Sequence, residues 1–454
     1  MQRKVSVIGG GGLRTPLLVH GLMRAQALLN VGELQLYDVD QSRAELMASL
    51  GREIAKNLKV QLKIAAVDSI ERATEGSDFV LSSLRIGGMA ARARDERIAI
   101  EEGLAGQETT GPGGVAMALR TIPVALAHAR IVERVAPQAW FINFTNPAGL
   151  ITQALQQHTK LRVIGICDTP AELFHRIADA LHQPASEVHC EYAGLNHLGW
   201  VRRVTVRGED VTARLLCDEQ ALRQLYHADL FDPLLIQVLN LIPSEYLFFY
   251  YSQRKAYRNQ LRAGASRGEE LLRMNGGLFT QLESESPAGA LATYRNYLMQ
   301  RNASYLRLEA EAGTAFQATQ NEPDPFDSPT GYHKIAVEVM SALVSPEART
   351  VVVNVRNEQC IGDLHPDDVV EVPAQISARG ITPIPTGPLP ESTRGLVLAV
   401  KAYERTAIRA AIEKSWPLAQ LAMLEYPIIG QWEIAENLQR IWASCDEHLG
   451  YLSK

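Results

Sequence analysis

The chain has 454 residues, 46% of them hydrophobic and 21% charged, with a formal net charge of −6. This is the composition of a globular enzyme with two or three domains, and it excludes a broad basic surface for nucleic acid. No uninterrupted apolar run reaches the about 20 residues of a membrane span. Five scattered cysteines without a Cys-x-x-Cys pair argue for a reducing compartment, so a cytoplasmic protein with no membrane or nucleic-acid partner is expected.

In chain order, Lys4–Ile8 reads as a β-branched strand that runs into Gly9-Gly10-Gly11-Gly12-Leu13-Arg14-Thr15-Pro16 and an apolar helix through Leu29. Thr15 is placed to cap that helix, and Pro16 suits its first turn. Strand, glycine turn and helix N-terminus together cradle a pyrophosphate. The next strand, Glu33–Tyr37, ends at Asp38, where an acid can bond a ribose 2′-OH. Arg14 stands where a third glycine is expected. Ser42-Arg43-Ala44-Glu45 reads as a capping box for a helix to about Leu58. Strands near Gln61–Val67 and Asp78–Leu84 continue a β/α alternation, which predicts a parallel doubly wound sheet.

Arg85 and Arg92 follow the fourth strand. The polar loop Gly106-Gln107-Glu108-Thr109-Thr110-Gly111-Pro112-Gly113-Gly114 reads as too flexible for a core and therefore as functional. A helix from about Gly114 to Val135 contains Pro123, which is expected to kink or split it. The strand Ala139–Phe144 leads to Asn146-Pro147, a turn that leaves an amide at the carboxyl edge of the sheet. The strand from Arg162 ends in Ile166-Cys167-Asp168-Thr169-Pro170. Ligands of open α/β sheets bind outside such strand ends, so Cys167 and Asp168 are placed to face one, although most free cysteines are simply buried.

After Pro170 the alternation breaks down. Strands at Val188–Tyr192 and Val201–Val206 flank Ala193-Gly194-Leu195-Asn196-His197-Leu198-Gly199-Trp200, and a lone His in such a setting is more often a core residue than a ligand. An aromatic helical stretch follows, with Tyr246 and Tyr250, and then a capped helix start at Ser266-Arg267. Helix is expected to about Glu311, a Pro/Asp-rich loop at Asn321–Pro329, strands at Thr350–Val355 and Asp368–Val372, a loop at Thr382–Pro390, and helices to the end. The expected architecture is α/β: an N-terminal Rossmann-like doubly wound sheet of the lactate/malate dehydrogenase kind in residues 1–167, and an α+β substrate and metal domain in residues 168–454.

GGGLRTP at 10–16, RIGGMAARARDERI at 85–98, GQETTGPGG at 106–114, INFTNPAG at 142–149, GICDTP at 165–170, AGLNHLGW at 193–200, VVVNVRN at 351–357 and TPIPTGPLPE at 382–391 together resemble glycoside hydrolase family 4, the NAD- and manganese-dependent glycosidases. The resemblance spans essentially the whole chain and points to the 6-phospho-β-glucosidase-like members. It implies oxidation at sugar C3 by NAD, loss of the C2 proton to a base, elimination at C1, addition of water and re-reduction, so that NAD is recycled. A glycosidase of this kind stands outside two-carboxylate chemistry.

By the same resemblance Cys167 and His197 are ligands of Mn²⁺. Asp168 is the general acid, Tyr246 the C2 base with Tyr250 as runner-up, and Glu108 modulates the base. Arg92, Asn146 and Arg267 bind substrate, the two arginines toward a 6-phosphate. Gly9, Gly10, Gly11, Gly12, Leu13, Arg14, Asp38 and Arg85 take NAD. Asp168 departs from the Asn that phospho-β-glucosidases often carry after the Cys, and this leaves the anomer open. The expected partner is a small glycoside, and the expected assembly a homodimer or homotetramer. A lactate/malate-type 2-hydroxy-acid or sugar dehydrogenase is the alternative.

Overall fold

The computed structural model describes residues 2–226, 229–305 and 324–453. The expected helix end near Glu311 and the first residues of the Asn321–Pro329 loop lie outside them. Among the described residues the strands are β1 Arg3–Ile8, β2 Val31–Tyr37, β3 Lys63–Val67, β4 Phe79–Ser82, β5 Trp140–Asn143, β6 Arg162–Gly165, β7 Val188–Leu195, β8 Leu198–Val206, β9 Glu209–Asp210, β10 Ile242–Pro243, β11 Arg349–Arg356, β12 Val369–Ser377 and β13 Gly380–Pro383. They form one sheet in the order β3-β2-β1-β4-β5-β6-β11-β12-β7-β8-β10, with β13 on β12 and β9 on β8.

The first six strands pair in parallel. Their order, 3-2-1-4-5-6, is that of the dinucleotide-binding sheet expected from the alternation. Both faces of this half are covered by helices, which is why β4 reads FVLS with every residue buried and not as an alternating strand. Beyond β6 the pairing becomes antiparallel through β11 and β12. The β7–β8 hairpin joins through a single bridge, Glu371 with Gly194.

Several local expectations change. Thr15 does not cap the first helix, Thr15–Arg24, because its hydroxyl donates to the Gly10 carbonyl at 2.9 Å. The helix Gln41–Leu58 is capped by Asp40, whose side chain accepts from the Arg43 N–H, and not by Ser42. Pro123 lies inside an unbroken helix, Pro112–Val135. That helix is long and apolar enough to cross a membrane by composition alone, but it is mostly buried inside the protein. Its Arg120 meets Asp446 at 2.5 Å and also pairs with Asp95.

The loop from Gly106 to Gly114 is buried, apart from the half-buried Glu108, and its polar groups are tied down. The Gln107 side-chain oxygen accepts from the Thr109 and Thr110 N–H groups, and Gln260 brackets Gly106 through both its N–H and its carbonyl. Side-chain amides thus satisfy a polar backbone that would otherwise have to face water. Thr169 and Pro170 open a helix, Thr169–Ala180, directly, with Asp168 at its N-cap position. The strands on either side of His197 run longer than expected and meet in a two-residue turn, Asn196-His197.

Candidate active site

The glycine turn after β1 is fixed from within. The Gly9 and Gly10 N–H groups donate to the Tyr37 carbonyl, the Gly12 N–H to the Gly9 carbonyl, and the Gly11 N–H to the Asp38 carboxylate at 2.9 Å. Gly9 has φ +89°, and a Cβ there would lie 2.1 Å from the Ser83 carbonyl oxygen, so only glycine fits between the turn and the end of β4. With those four N–H groups in use, the Leu13 and Arg14 N–H groups are the ones in this turn that have no acceptor among the described residues. An anion at the start of the helix Thr15–Arg24 meets these two. Asp38 takes the Gly11 and Asp40 N–H groups on separate oxygens, each with a lone pair left for a hydroxyl.

Arg14 is the centre of the site. Its guanidinium lies 5.1 Å from the Phe144 ring centre and 5.5 Å from that of Tyr332. Its charge acts on Asp168, Glu108 and His197. Residues from the first and sixth strand ends, from the Gly106–Gly114 loop and from the β7–β8 turn therefore share one electrostatic environment.

Glu108 binds Arg92 at 2.7 Å and also Arg85. Burial raises its pKa, but Arg85, Arg92 and Arg14 outweigh burial and hold it ionised well below the ordinary range. Arg92 in turn binds Glu96 at 2.8 Å. Arg267 donates to Glu270 at 3.2 Å, to Ser304 at 2.8 Å and to the Arg301 carbonyl at 2.9 Å. Both arginines expected to bind substrate thus have carboxylate partners already. Arg301, which no motif singles out, has no hydrogen-bond acceptor or carboxylate partner for its side chain among the described residues. Burial, together with Arg14, Arg267 and Arg92, pushes its pKa down.

Burial pushes the Asp168 carboxyl up, against the pull of Arg14, and Glu172 adds to the rise. A carboxyl so placed tends to keep its proton, as a general acid must. Next to Tyr246, Glu245 is pushed up to about 8 by burial and by Glu172.

His197 is 3% exposed and takes a left-handed φ of +61°. Its ring stacks on Tyr246 with centroids 3.7 Å apart and planes 4° apart. Burial lowers its pKa to about 4, so at neutral pH it is an uncharged imidazole. Its Nδ1 has no hydrogen-bond partner, although buried ring nitrogens are normally satisfied. Cys167 is buried, and burial, Glu371 and Asp168 all raise its pKa, so its thiol stays protonated until positive charge arrives. An orphaned neutral imidazole nitrogen and a buried thiol are donor types that fit a divalent cation. The described residues contain no group of three or more His, Cys, Asp and Glu side chains that would enclose an ion alone, so substrate or water oxygens have to complete such a site.

A phenol that serves as a base at neutral pH needs a lowered pKa, and Tyr246 does not have one. Burial, Glu245 and Glu108 raise its pKa well above the usual value, while a hydrogen bond from Tyr305 opposes them. Tyr250, the runner-up, is tied to Tyr426, hydroxyl to hydroxyl at 3.0 Å, and Tyr426 also accepts the Gly111 N–H. Asn146 lies in the turn after β5, and its amide has no hydrogen bond among the described residues. The sequence reading also missed Glu371, a lone acid in the apolar strand β12, buried at 1% exposure. An acid at a core position of such a strand was the available signal.

A parallel 3-2-1-4-5-6 sheet with a glycine turn at the end of β1 defines a Rossmann-type α/β protein. Residues 4–183 match the family described as "Family 4 glycosyl hydrolase", and residues 192–429 match its C-terminal domain. The chain belongs to family 4 of the glycosyl hydrolases. A "Probable 6-phospho-beta-glucosidase" of Bacillus subtilis is 30% identical over 447 residues, 96% of this chain and 94% of that protein. The 6-phospho-beta glucosidase of Thermotoga maritima, solved with manganese, NAD+ and glucose-6-phosphate, superposes with a TM-score of 0.82 at 26% identity over 100% of both chains. A 6-phospho-alpha-glucosidase from gut microorganisms, solved with NAD and glucose-6-phosphate, reaches 0.81 at 26% identity, covering 100% of this chain and 99% of the other. Because both halves of the chain match the hydrolase family, the simple dehydrogenase alternative is set aside.

Proposed function

We propose that the protein hydrolyses a 6-phosphoglucoside by a redox route in which NAD is recycled and Mn²⁺ is required. The two solved relatives described above were obtained with NAD and glucose-6-phosphate, one of them also with manganese. When bound, these two groups supply a hydride acceptor for sugar C3 and an electrophile that makes the C2 proton acidic. Leu13 and Arg14, with the turn Gly9–Gly12, Asp38 and Arg85, hold the nucleotide, and Cys167 and His197 hold the cation. Residues 1–167 thus form the nucleotide half, and residues 168–454 supply most of the substrate and metal half.

Tyr246 removes the C2 proton. Its raised pKa means that it acts only once positive charge in the occupied site favours the phenolate. Glu108, held ionised by Arg85, Arg92 and Arg14, modulates the base by raising the pKa of the phenol. Asp168 gives its proton to the departing glycosidic oxygen at C1, and water then adds at that carbon. Asn146 and Arg92 orient the sugar. The 6-phosphate is held by Arg301 beside Arg267, because a dianion balances the unpaired guanidinium. The stacked His197–Tyr246 pair carries this reading, since it sets an orphaned ligand nitrogen against the group proposed as base. We further propose a homodimer or homotetramer working in the cytoplasm, in line with five free cysteines.

The test is turnover of nitrophenyl α- and β-glucosides, with and without a 6-phosphate, in the presence of NAD, Mn²⁺ and reductant, each omitted in turn. Run in deuterated water, the reaction is expected to place deuterium at C2 of the product. Product without label at C2, or turnover that continues without NAD, refutes the assignment.

A further inference from the structure

Four of the family-like motifs meet around one side chain that belongs to none of them. Glu371 sits in β12 opposite Asn354 of β11 and opposite Gly194 of β7. Its Oε1 accepts from the Asn196 side-chain amide and from the Asn354 side-chain amide, each at 3.0 Å, and its Oε2 accepts from the Tyr192 hydroxyl at 2.8 Å. The far end of Asn196 accepts the Ala148 N–H at 3.1 Å. Asn354 also pairs with Gly165, two residues before Cys167.

The surrounding glycines leave room for this cluster. A Cβ on Gly199 would lie 2.1 Å from the Tyr192 hydroxyl, and one on Gly165 would lie 2.8 Å from the Asn354 Cβ. All three donors are neutral, and no Lys or Arg bonds Glu371 among the described residues.

We propose that Glu371 is a positioning residue that clamps the His197 turn, the strand end carrying Cys167 and the Asn146-Pro147 turn into one arrangement for the divalent cation. The inference rests on the assignment of Cys167 and His197 as ligands. The clamp acts through geometry. Asn196 immediately precedes His197, so its two hydrogen bonds fix where the left-handed turn presents the imidazole. Asn354 lies against β6 and fixes the approach to the thiol. Groups that bond a metal ligand directly are worth about 10–100-fold in metal affinity, and Glu371 acts on the same ligands one residue further out, through Asn196 and Asn354.

Glu371→Gln keeps the size of the side chain but replaces one acceptor oxygen by a donor, so the three existing donors cannot all be satisfied. Asn354→Ala leaves the carboxylate in place and removes one donor. In the full-length, reduced protein, Mn²⁺ binding is followed by the loss of the free Mn²⁺ paramagnetic resonance signal, and NAD binding by titration calorimetry.

Glu371→Gln is expected to weaken Mn²⁺ binding by about 10–100-fold, and Asn354→Ala to weaken it less, with NAD affinity unchanged in both. Wild-type Mn²⁺ affinity in Glu371→Gln overturns the proposal, provided that Cys167→Ser and His197→Ala each lose the ion. Parallel loss of Mn²⁺ and NAD affinity together with a lowered melting temperature also overturns it, because that is the signature of a structural residue. Mn²⁺ affinity that survives Cys167→Ser and His197→Ala instead overturns the ligand assignment, and the clamp with it.

Discussion

Replacing Arg301 by Gln separates substrate recognition from stability. Among the described residues three nearby arginines have a carboxylate partner: Arg92 has Glu96 and Glu108, Arg85 has Glu108, and Arg267 has Glu270, while Arg14 has no ion pair and lies against the Phe144 and Tyr332 rings. Arg301 has none, and its lowered pKa means that the folded protein disfavours its charge. Neutralising it therefore relieves repulsion from Arg14, Arg267 and Arg92, and the melting temperature is expected to hold or rise. A hydrogen bond from a charged donor is worth about 1.5–3 kcal/mol, which corresponds to roughly 10- to 150-fold in affinity. Competition by glucose 6-phosphate against a chromogenic substrate should weaken by that factor, while inhibition by glucose stays as in the wild type. Arg92→Gln provides the contrast, since it breaks a buried network and is expected to cost about 3–5 kcal/mol of stability. Unchanged glucose 6-phosphate inhibition in Arg301→Gln, or destabilisation matching Arg92→Gln, would refute the reasoning.

Other outcomes follow from the same geometry. Tyr246→Phe keeps the ring against His197 but removes the proton acceptor, so kcat should fall by about 10²–10⁴-fold with NAD and glucose 6-phosphate affinities retained; equal losses in binding would assign Tyr246 to packing. Glu108→Gln leaves Arg85 and Arg92 without their shared partner in a buried site, and thermal melts should show a loss of about 3–5 kcal/mol; an unchanged midpoint would contradict the burial. His333 is buried with both ring nitrogens unpaired, and its pKa is pushed down to about 4 by burial, Lys334 and His20. Because the unfolded chain binds that proton more readily, stability present above the ordinary His pKa of about 6.5 is lost as pH falls toward 4, by about 3 kcal/mol in all. Urea melts across that range should flatten in His333→Leu, and an identical pH slope in the variant would locate the effect elsewhere.

The nucleotide half was legible because local signals and tertiary outcome coincide there. Continuous apolar runs, a glycine turn and an acid at the end of the second strand each describe a short segment whose fold is set by its neighbours in sequence. Cys167, Asp168, His197 and Tyr246 could be nominated from motifs, and the structure brings Asp168, His197 and Tyr246 into the reach of Arg14.

Capping went to residues that local reading did not choose. Asp40 replaced Ser42, and the Thr15 hydroxyl turned to the Gly10 carbonyl, because several side chains can satisfy a helix end and the surrounding backbone selects one. Polarity misled at Gly106–Gly114, where Gln107 and Gln260 supply hydrogen bonds that only a folded chain can bring into place. Arg301 and Glu371 were invisible for a related reason. A lone arginine late in a helix and a lone acid in a strand acquire meaning from what stands beside them, and that is fixed by contacts between segments far apart in the chain. The sequence by itself determined the alternating, parallel N-terminal half and which side chains to nominate as reactive. Which charges are neutralised, which are left open to a ligand, and which side chain ties three distant turns together was decided by the tertiary structure, because burial and pairing are properties of the packed molecule.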